Sequence, residues 1–291
     1  MIFVCTFAEI IFFMGTIQGK YFLRGNDLRE DYEFDNSFLS KGNNFYEVVR
    51  IQDSVVLFLE DHLSRLEASA RQSNLRPFVD ATEMKKLLFR LIRANKMVSG
   101  NLKFVFHFGS GEWEKTFMAY PVPYYYPEDE VYIRGVKTDI YKFDRPNPSV
   151  KNWFSEYKAK IAVIKSEQNL YELILESENG TITEGSQSNL FVIKDNIIFT
   201  APKESVLEGI TRKKIFSICE KHAIKLQEKT YQRDFLLNAD AVFLSGTSAK
   251  ILPVSGIGST EIKSSHPLMK KLSDLYDGVI SEYISLHKNE F

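Results

Sequence analysis

Cysteine is almost missing from this chain. Cys5 and Cys219 are its only two, and they stand far apart, which excludes a disulfide framework and any cysteine-based metal knuckle. That usage fits a reducing compartment, so a cytoplasmic location is expected. Histidine is also sparse: His62, His107, His222, His266 and His287 show no paired i, i+4 spacing, and no metal site is expected. Charge of one sign is lacking too. The 37 Lys and Arg interleave with 38 Asp and Glu for a net charge of −1, which leaves no basic footprint for nucleic acid or an acidic membrane surface. Small molecules become the expected partners. Long apolar runs are confined to MIFVCTFAEIIFFM, residues 1–14. That run is too short to span a bilayer, has no positively charged start and carries Glu9 in its middle, so neither a membrane span nor a signal peptide is expected. Met14-Gly15-Thr16-Ile17-Gln18-Gly19 makes a natural start for the strand that follows, so residues 1–13 read as an upstream extension from a misplaced start codon.

What the chain does have is an ordinary globular composition, 44% apolar and 26% charged, with Gly and Pro scattered. Its 291 residues exceed the usual size of one core, which leaves one large domain or two smaller ones. YFLRGNDLRE and FYEVVRIQDSVVLFL alternate apolar and polar positions between turn signals, the pattern of strands and hairpins. Asp61 is placed to N-cap a helix over HLSRLEASARQ, and Asp80 with Glu83 resembles a capping box for a second helix through about residue 95. These two helices are expected to cover one face of the sheet. LKFVFHF and TFMAYPV return to strand, and Tyr120 to Pro127, aromatic and proline-punctuated, is the best linker. VYIRGVKTDIY reads as a strand. Pro146 and Pro148 interrupt regular structure, Lys151 follows, and a helix is expected from about Trp153 to Ser166 with Phe154, Tyr157, Ile161 and Ile164 on one face. Strands LYELILES and NLFVIKDNIIFT carry turns at Glu178-Asn179-Gly180 and Asp195-Asn196. Further helices are expected near 211–222, 232–238 and 267–287.

The informative region is Gly180-Thr181-Ile182-Thr183-Glu184-Gly185-Ser186-Gln187-Ser188-Asn189-Leu190-Phe191, with Thr200 and then Leu207-Glu208-Gly209-Ile210-Thr211-Arg212. It resembles the signature of the class IV (fold-type IV) aminotransferases, a family that includes D-amino-acid and branched-chain aminotransferases and aminodeoxychorismate lyases. Ser245-Gly246-Thr247-Ser248 before Ile251-Leu252-Pro253-Val254 is similar to the family's later phosphate-binding turn. Phe45-Tyr46-Glu47 and His62-Leu63-Ser64-Arg65-Leu66 resemble its N-terminal portion. Together these cover most of residues 15–258.

The resemblance implies an α/β (α+β) fold of two domains: an N-terminal α/β sandwich over 14–122, a linker at 123–129, and a barrel-like C-terminal cofactor-binding domain with helices over 130–291. It also implies pyridoxal 5′-phosphate in the cleft and a homodimer. Lys151 would carry the cofactor aldehyde covalently and, once a substrate amine displaces it, move the Cα proton. Glu184 would keep the pyridine nitrogen protonated. Arg65 would pair with the phosphate. Gly209, Ile210 and Thr211 open a helix whose free amides suit a phosphate, and Gly246 and Thr247 would add to the same grip. Leu207 would pack on the ring, and Tyr46 would lie near the substrate. As bare residues, Lys151 and Arg65 could be surface groups, Glu184 a turn residue, Thr211 an N-cap, and Leu207 and Tyr46 plain core.

The chain departs from the family pattern in three places. Gly42-Asn43-Asn44 stands where a Gly-Asp-Gly run is frequent. The Arg-x-His element that D-amino-acid aminotransferases use for the substrate carboxylate has no counterpart in the shorter Phe106 to Trp113 stretch. The arginine of the branched-chain enzymes falls at Val105. The expected reaction is transamination between an amino acid and a 2-oxo acid. A β-elimination of the aminodeoxychorismate lyase type, and a non-catalytic protein retaining the fold, are the alternatives.

Overall fold

The computed structural model of the chain describes residues 17–109, 114–144, 151 and 155–290. The expected extension 1–13, the prolines at 146 and 148, and Trp153 and Phe154 lie outside those residues. The chain divides into two compact units. Of the described residues, the first holds 17–124, Lys151, 155–156 and 280–290, and the second holds 125–144 and 157–279.

The first unit is built on six strands, β1 (Tyr21–Arg24), β2 (Asp27–Glu30), β3 (Asn43–Gln52), β4 (Val55–Val56), β5 (Gly100–Phe108) and β6 (Lys115–Val122), in the order β2-β1-β6-β5-β3-β4. Every pairing is antiparallel. Side chains alternate between faces with period two. On β3, Phe45, Val49 and Ile51 therefore join one apolar cluster while Tyr46 and Val48 join another. Two helices, α1 (Leu59–Gln72) and α2 (Ala81–Ala94), cover the Phe45 face with Leu59, Leu66, Ala70, Leu87, Leu88 and Leu91. Burying Leu59 and Leu66 at about 2 kcal/mol each helps offset the burial of His62 and Arg65 on the same helix.

The start of α2 follows the expected chemistry, since Asp80 Oδ1 accepts the Glu83 N–H at 2.9 Å. The start of α1 does not. Its N-cap is Phe58, in the left-handed region at φ 55°, and Asp61 lies inside the first turn. A residue remote in sequence replaces the local cap. The Leu59 N–H donates to Tyr283 Oη at 3.3 Å, that hydroxyl donates to Glu60 Oε2 at 2.6 Å, and the Phe58 and Tyr283 rings lie 4.9 Å apart.

The second unit opens with a short helix, α3 (Asp129–Arg134), before β7 (Val136–Lys142), so the first half of VYIRGVKTDIY is helical rather than extended. Acids at Asp129 and Glu130 suit a helix N-terminus. Gly135, at φ 74°, then turns the chain where a Cβ would crowd Ser255 and Ser264. Next come α4 (Ser155–Glu167), β8 (Glu172–Glu176), β9 (Thr181–Gly185), β10 (Asn189–Lys194), β11 (Ile197–Thr200), α5 (Ile210–Lys221), β12 (Leu226–Glu228), β13 (Tyr231–Gln232) and α6 (Arg233–Leu237). The order closes with β14 (Ala241–Gly246), β15 (Lys250–Ile257), β16 (Thr260–Glu261) and α7 (Pro267–His287). Helices α4 to α7 and the Asp195-Asn196 turn, both residues at positive φ, fall where the sequence pattern puts them.

The ten-stranded sheet runs β12-β11-β10-β14-β15-β7-β8-β9-β13, with β16 on β15. This is the mixed α/β architecture, with its curled barrel-like sheet, that the resemblance implies. Leu190, Val192, Val242, Leu244, Leu252 and Val254 fill the core on one face. Among the described residues no helix is long and apolar enough to cross a membrane.

Candidate active site

Tyr46, Arg65 and Lys151 belong to the first unit; Glu184, Leu207, Ile210, Thr211, Gly246 and Thr247 belong to the second. In the first unit, Lys151 Nζ lies 5.3 Å from the centroid of the buried Tyr46 ring, within the range of a cation–π contact. A second ammonium, Lys103 Nζ, lies 4.9 Å from the same ring and 5.7 Å from that of Tyr120. Lys103 is buried on β5 and was not singled out in the sequence, where one lysine in an apolar strand carries no signal. Val105 pairs directly with Tyr46 across β3 and β5, so the position where branched-chain members carry arginine faces the same region with an apolar side chain.

On the other face of β3, the side chains of α1 meet a strand carboxylate. Arg65 donates from Nε to Glu47 Oε1 at 2.7 Å and from Nη2 to Oε2 at 2.5 Å, and His62 Nδ1 donates to Oε2 at 2.7 Å. All three residues are buried. Burial opposes the charge on Glu47, but the Arg65 guanidinium and the hydrogen bonds outweigh it and hold the carboxyl well below the usual range. Burial pushes His62 down more strongly than Glu47 pushes it up, and Arg65 and Lys151 lower it further, so the imidazole stays neutral. Asn44, in place of the frequent Gly-Asp-Gly, donates from Nδ2 to Leu39 O at 2.8 Å and accepts from His107 Nδ1 at 2.7 Å. Its partner His107 lines a cavity of about 580 Å³ together with Ser37, Lys41 and Gly42.

In the second unit Glu184, the penultimate residue of β9, is a buried carboxylate. Its Oε2 accepts the Leu207 N–H at 3.0 Å and Asn189 Nδ2 at 3.2 Å, and Asn189 Nδ2 also donates to Leu207 O at 2.7 Å. Asn189 is thus the hub, a residue inside the motif to which the sequence attached no role. A Cβ on Gly209, the N-cap of α5, would overlap Asn189 Oδ1. Glycine is needed there for close approach. Ile210 and Thr211 follow as the first, buried residues of α5, and Thr211 Oγ1 lies 3.3 Å from Tyr276 Oη. Ser245 pairs with Asn189 across β10 and β14, immediately before Gly246 and the turn holding Thr247.

A phosphate-bearing aromatic cofactor can be tested against these residues. Ser245 Oγ is buried and finds no hydrogen-bond partner among the described residues, which is costly unless a ligand or water completes it. The amides at the start of α5 suit an anion, and the buried carboxylate Glu184 suits a protonated ring nitrogen. The donor set fits the group.

The family model for amino-transferase class IV matches residues 44–257. The D-alanine aminotransferase of Bacillus licheniformis is 31% identical over 256 residues, covering 83% of this chain and 89% of the relative. A putative branched-chain-amino-acid aminotransferase of Methanocaldococcus jannaschii is 27% identical over 265 residues, 86% and 91% of the two chains. Among solved structures, the branched-chain amino acid aminotransferase from Escherichia coli superposes with a TM-score of 0.79 at 23% identity, covering 90% of this chain and 95% of that one. A putative 4-amino-4-deoxychorismate lyase from Legionella pneumophila gives 0.74 at 21% identity, covering 84% and 95%.

Proposed function

The chain belongs to the class IV aminotransferases, and from that premise we propose that it is a pyridoxal 5′-phosphate enzyme holding its cofactor on Lys151. It transfers an amino group from an amino acid to a 2-oxo acid. The proposal about the site rests on one observation: Glu184 is a buried carboxylate held in place by the Leu207 amide and Asn189. A fixed acid of that kind can keep a pyridine nitrogen protonated.

Pyridoxal 5′-phosphate, when bound, supplies a ring that accepts the electrons left behind when the Cα proton departs. The chain's own residues do the rest. Lys151 would hold the cofactor through its aldehyde carbon, and its amine, once free, would take the proton from the substrate Cα. Glu184 holds the proton at the ring nitrogen. The α5 amides, Thr211 and Thr247 hold the phosphate together with Arg65. Leu207 packs on the ring, and Tyr46 flanks the substrate beside Lys151. The near absence of cysteine supports a cytoplasmic enzyme, and the family resemblance supports a homodimer.

Borohydride reduction of the cofactor-loaded protein followed by peptide mapping places the label on Lys151. A label on another lysine overturns the assignment. A panel of L- and D-amino acids then tests the reaction: at least one converts the cofactor to its amine form, and a 2-oxo acid reverses the change. If none does so while aminodeoxychorismate yields pyruvate and 4-aminobenzoate, the reaction is elimination.

A further inference from the structure

Glu47, His62 and Arg65 form a closed arrangement that the reaction itself does not call for. The chain buries a carboxylate on β3 completely and sets two residues of α1, three apart and on one helix face, against it. The charge-assisted bonds are short and the pair is bidentate, the geometry that fixes direction as well as energy. Because the Nε–Nη2 edge of Arg65 is committed to Glu47, the plane of the guanidinium and the direction of Nη1 are set by the protein rather than by any ligand. His62 adds a second strut to the same carboxylate oxygen. Lys151 acts electrostatically on His62, so the network lies near the proposed cofactor-bearing lysine within one unit.

We propose that Glu47 is a positioning residue that aims Arg65 at the phosphate of the cofactor, with His62 as a second strut that keeps the carboxylate in place. The proposal rests on the reading of Lys151 and Arg65 given above. It differs from a counter-charge role in the sign of its effect. A carboxylate that merely neutralises Arg65 weakens phosphate binding, and its removal tightens it; a carboxylate that orients Arg65 strengthens binding, and its removal loosens it.

The test compares the affinities of the cofactor-free protein for pyridoxal 5′-phosphate and for pyridoxal, which lacks the phosphate, both read from the absorbance of the lysine-bound species. The ratio of the two dissociation constants isolates the phosphate grip. Glu47→Gln is expected to reduce the preference for the phosphorylated form about tenfold or more, the value of a charged hydrogen bond lost, while pyridoxal binding stays within about threefold. Glu47→Asp is expected to fall between Gln and wild type. A purely structural role would move both affinities in parallel and leave the ratio unchanged, which overturns the proposal; a ratio that rises overturns it in favour of a counter-charge. Should Glu47→Gln not fold, His62→Leu decides by the same measurement: a ratio reduced about threefold supports the proposal and an unchanged ratio overturns it. If neither compound forms a borohydride-trappable bond at Lys151 in the wild-type protein, the cofactor reading fails and the proposal falls with it, an outcome distinct from a bond that forms with an unaltered ratio.

Discussion

Glu47 in the first unit and Glu184 in the second are both buried carboxylates, and the chain holds them in opposite ways. Glu47 is gripped by a guanidinium and an imidazole. Glu184 takes its hydrogen bonds from a backbone amide and a side-chain amide, both neutral donors. A cationic partner commits a carboxylate's charge to structure. Neutral donors fix a carboxylate's position without neutralising it. The comparison separates an acid held by a guanidinium from one held by amides.

The largest expected effect concerns the acid held by amides. Glu184→Gln keeps both donors' partner atom but not the charge, so cofactor is retained while turnover falls by about 100-fold or more, the usual scale of a lost acid–base group. Stability in urea changes by only about 1 kcal/mol. Unchanged turnover would remove Glu184 from the mechanism and dissolve the contrast.

Glu47→Gln reverses that signature. Leaving the buried Arg65 uncompensated is expected to cost about 3 kcal/mol in urea unfolding of the cofactor-free protein. A loss no larger than that of Glu184→Gln would mean the two acids are held alike. Asn189→Ala comes next. It removes one donor to Glu184 and the partner of the Leu207 carbonyl, an expected cost of about 1 to 2 kcal/mol on the same assay, with turnover lowered because Glu184 is less fixed.

The smallest effect is a pH dependence. Native His62 resists protonation because burial lowers its affinity for the proton, whereas the unfolded chain takes one near pH 6.5. The unfolded state therefore binds more protons below that value, and stability falls as pH drops from about 6.5, by roughly 1 kcal/mol per pH unit. His107, also held down by burial, contributes in the same direction. Glu47 behaves oppositely in range: its contribution is complete above the ordinary glutamate value and is lost only as pH falls well below it. Urea unfolding of His62→Leu across pH 5 to 7 should show a flatter slope than wild type. An identical slope would mean His62 is not held neutral.

These outcomes bear on how much the sequence disclosed. Glu184, Leu207, Ile210 and Thr211 stand out in the sequence because a short, nearly continuous motif carries them, and the structure bonds Glu184 to the Leu207 amide. The Glu47 network does not: alternation along FYEVVRIQ puts Glu47 on the apolar face with Phe45, Val49 and Ile51, but nothing local announces that His62 and Arg65 will descend on it from the next helix. Asn189 stood in plain view within the motif, but its role depends on two loops that converge on it from 184 and 207. The helices over 210–221 and 267–287 are long enough for periodicity to declare them. The short α3 did not: six residues are too few for a helical period to outweigh the β-branched Val131 and Ile133.

The Tyr283 hydroxyl has one more consequence. It caps the helix that carries His62 and Arg65, yet it lies 224 residues beyond the amide it satisfies. A chain emerging from the ribosome can pair its first six strands and lay down both covering helices long before that tyrosine is made. Until then Leu59 must rely on water for its hydrogen bond. The cap therefore arrives long after the helix it closes, and a fragment cut at the aromatic linker would hold the six strands of the first sheet while leaving the Arg65 helix without it.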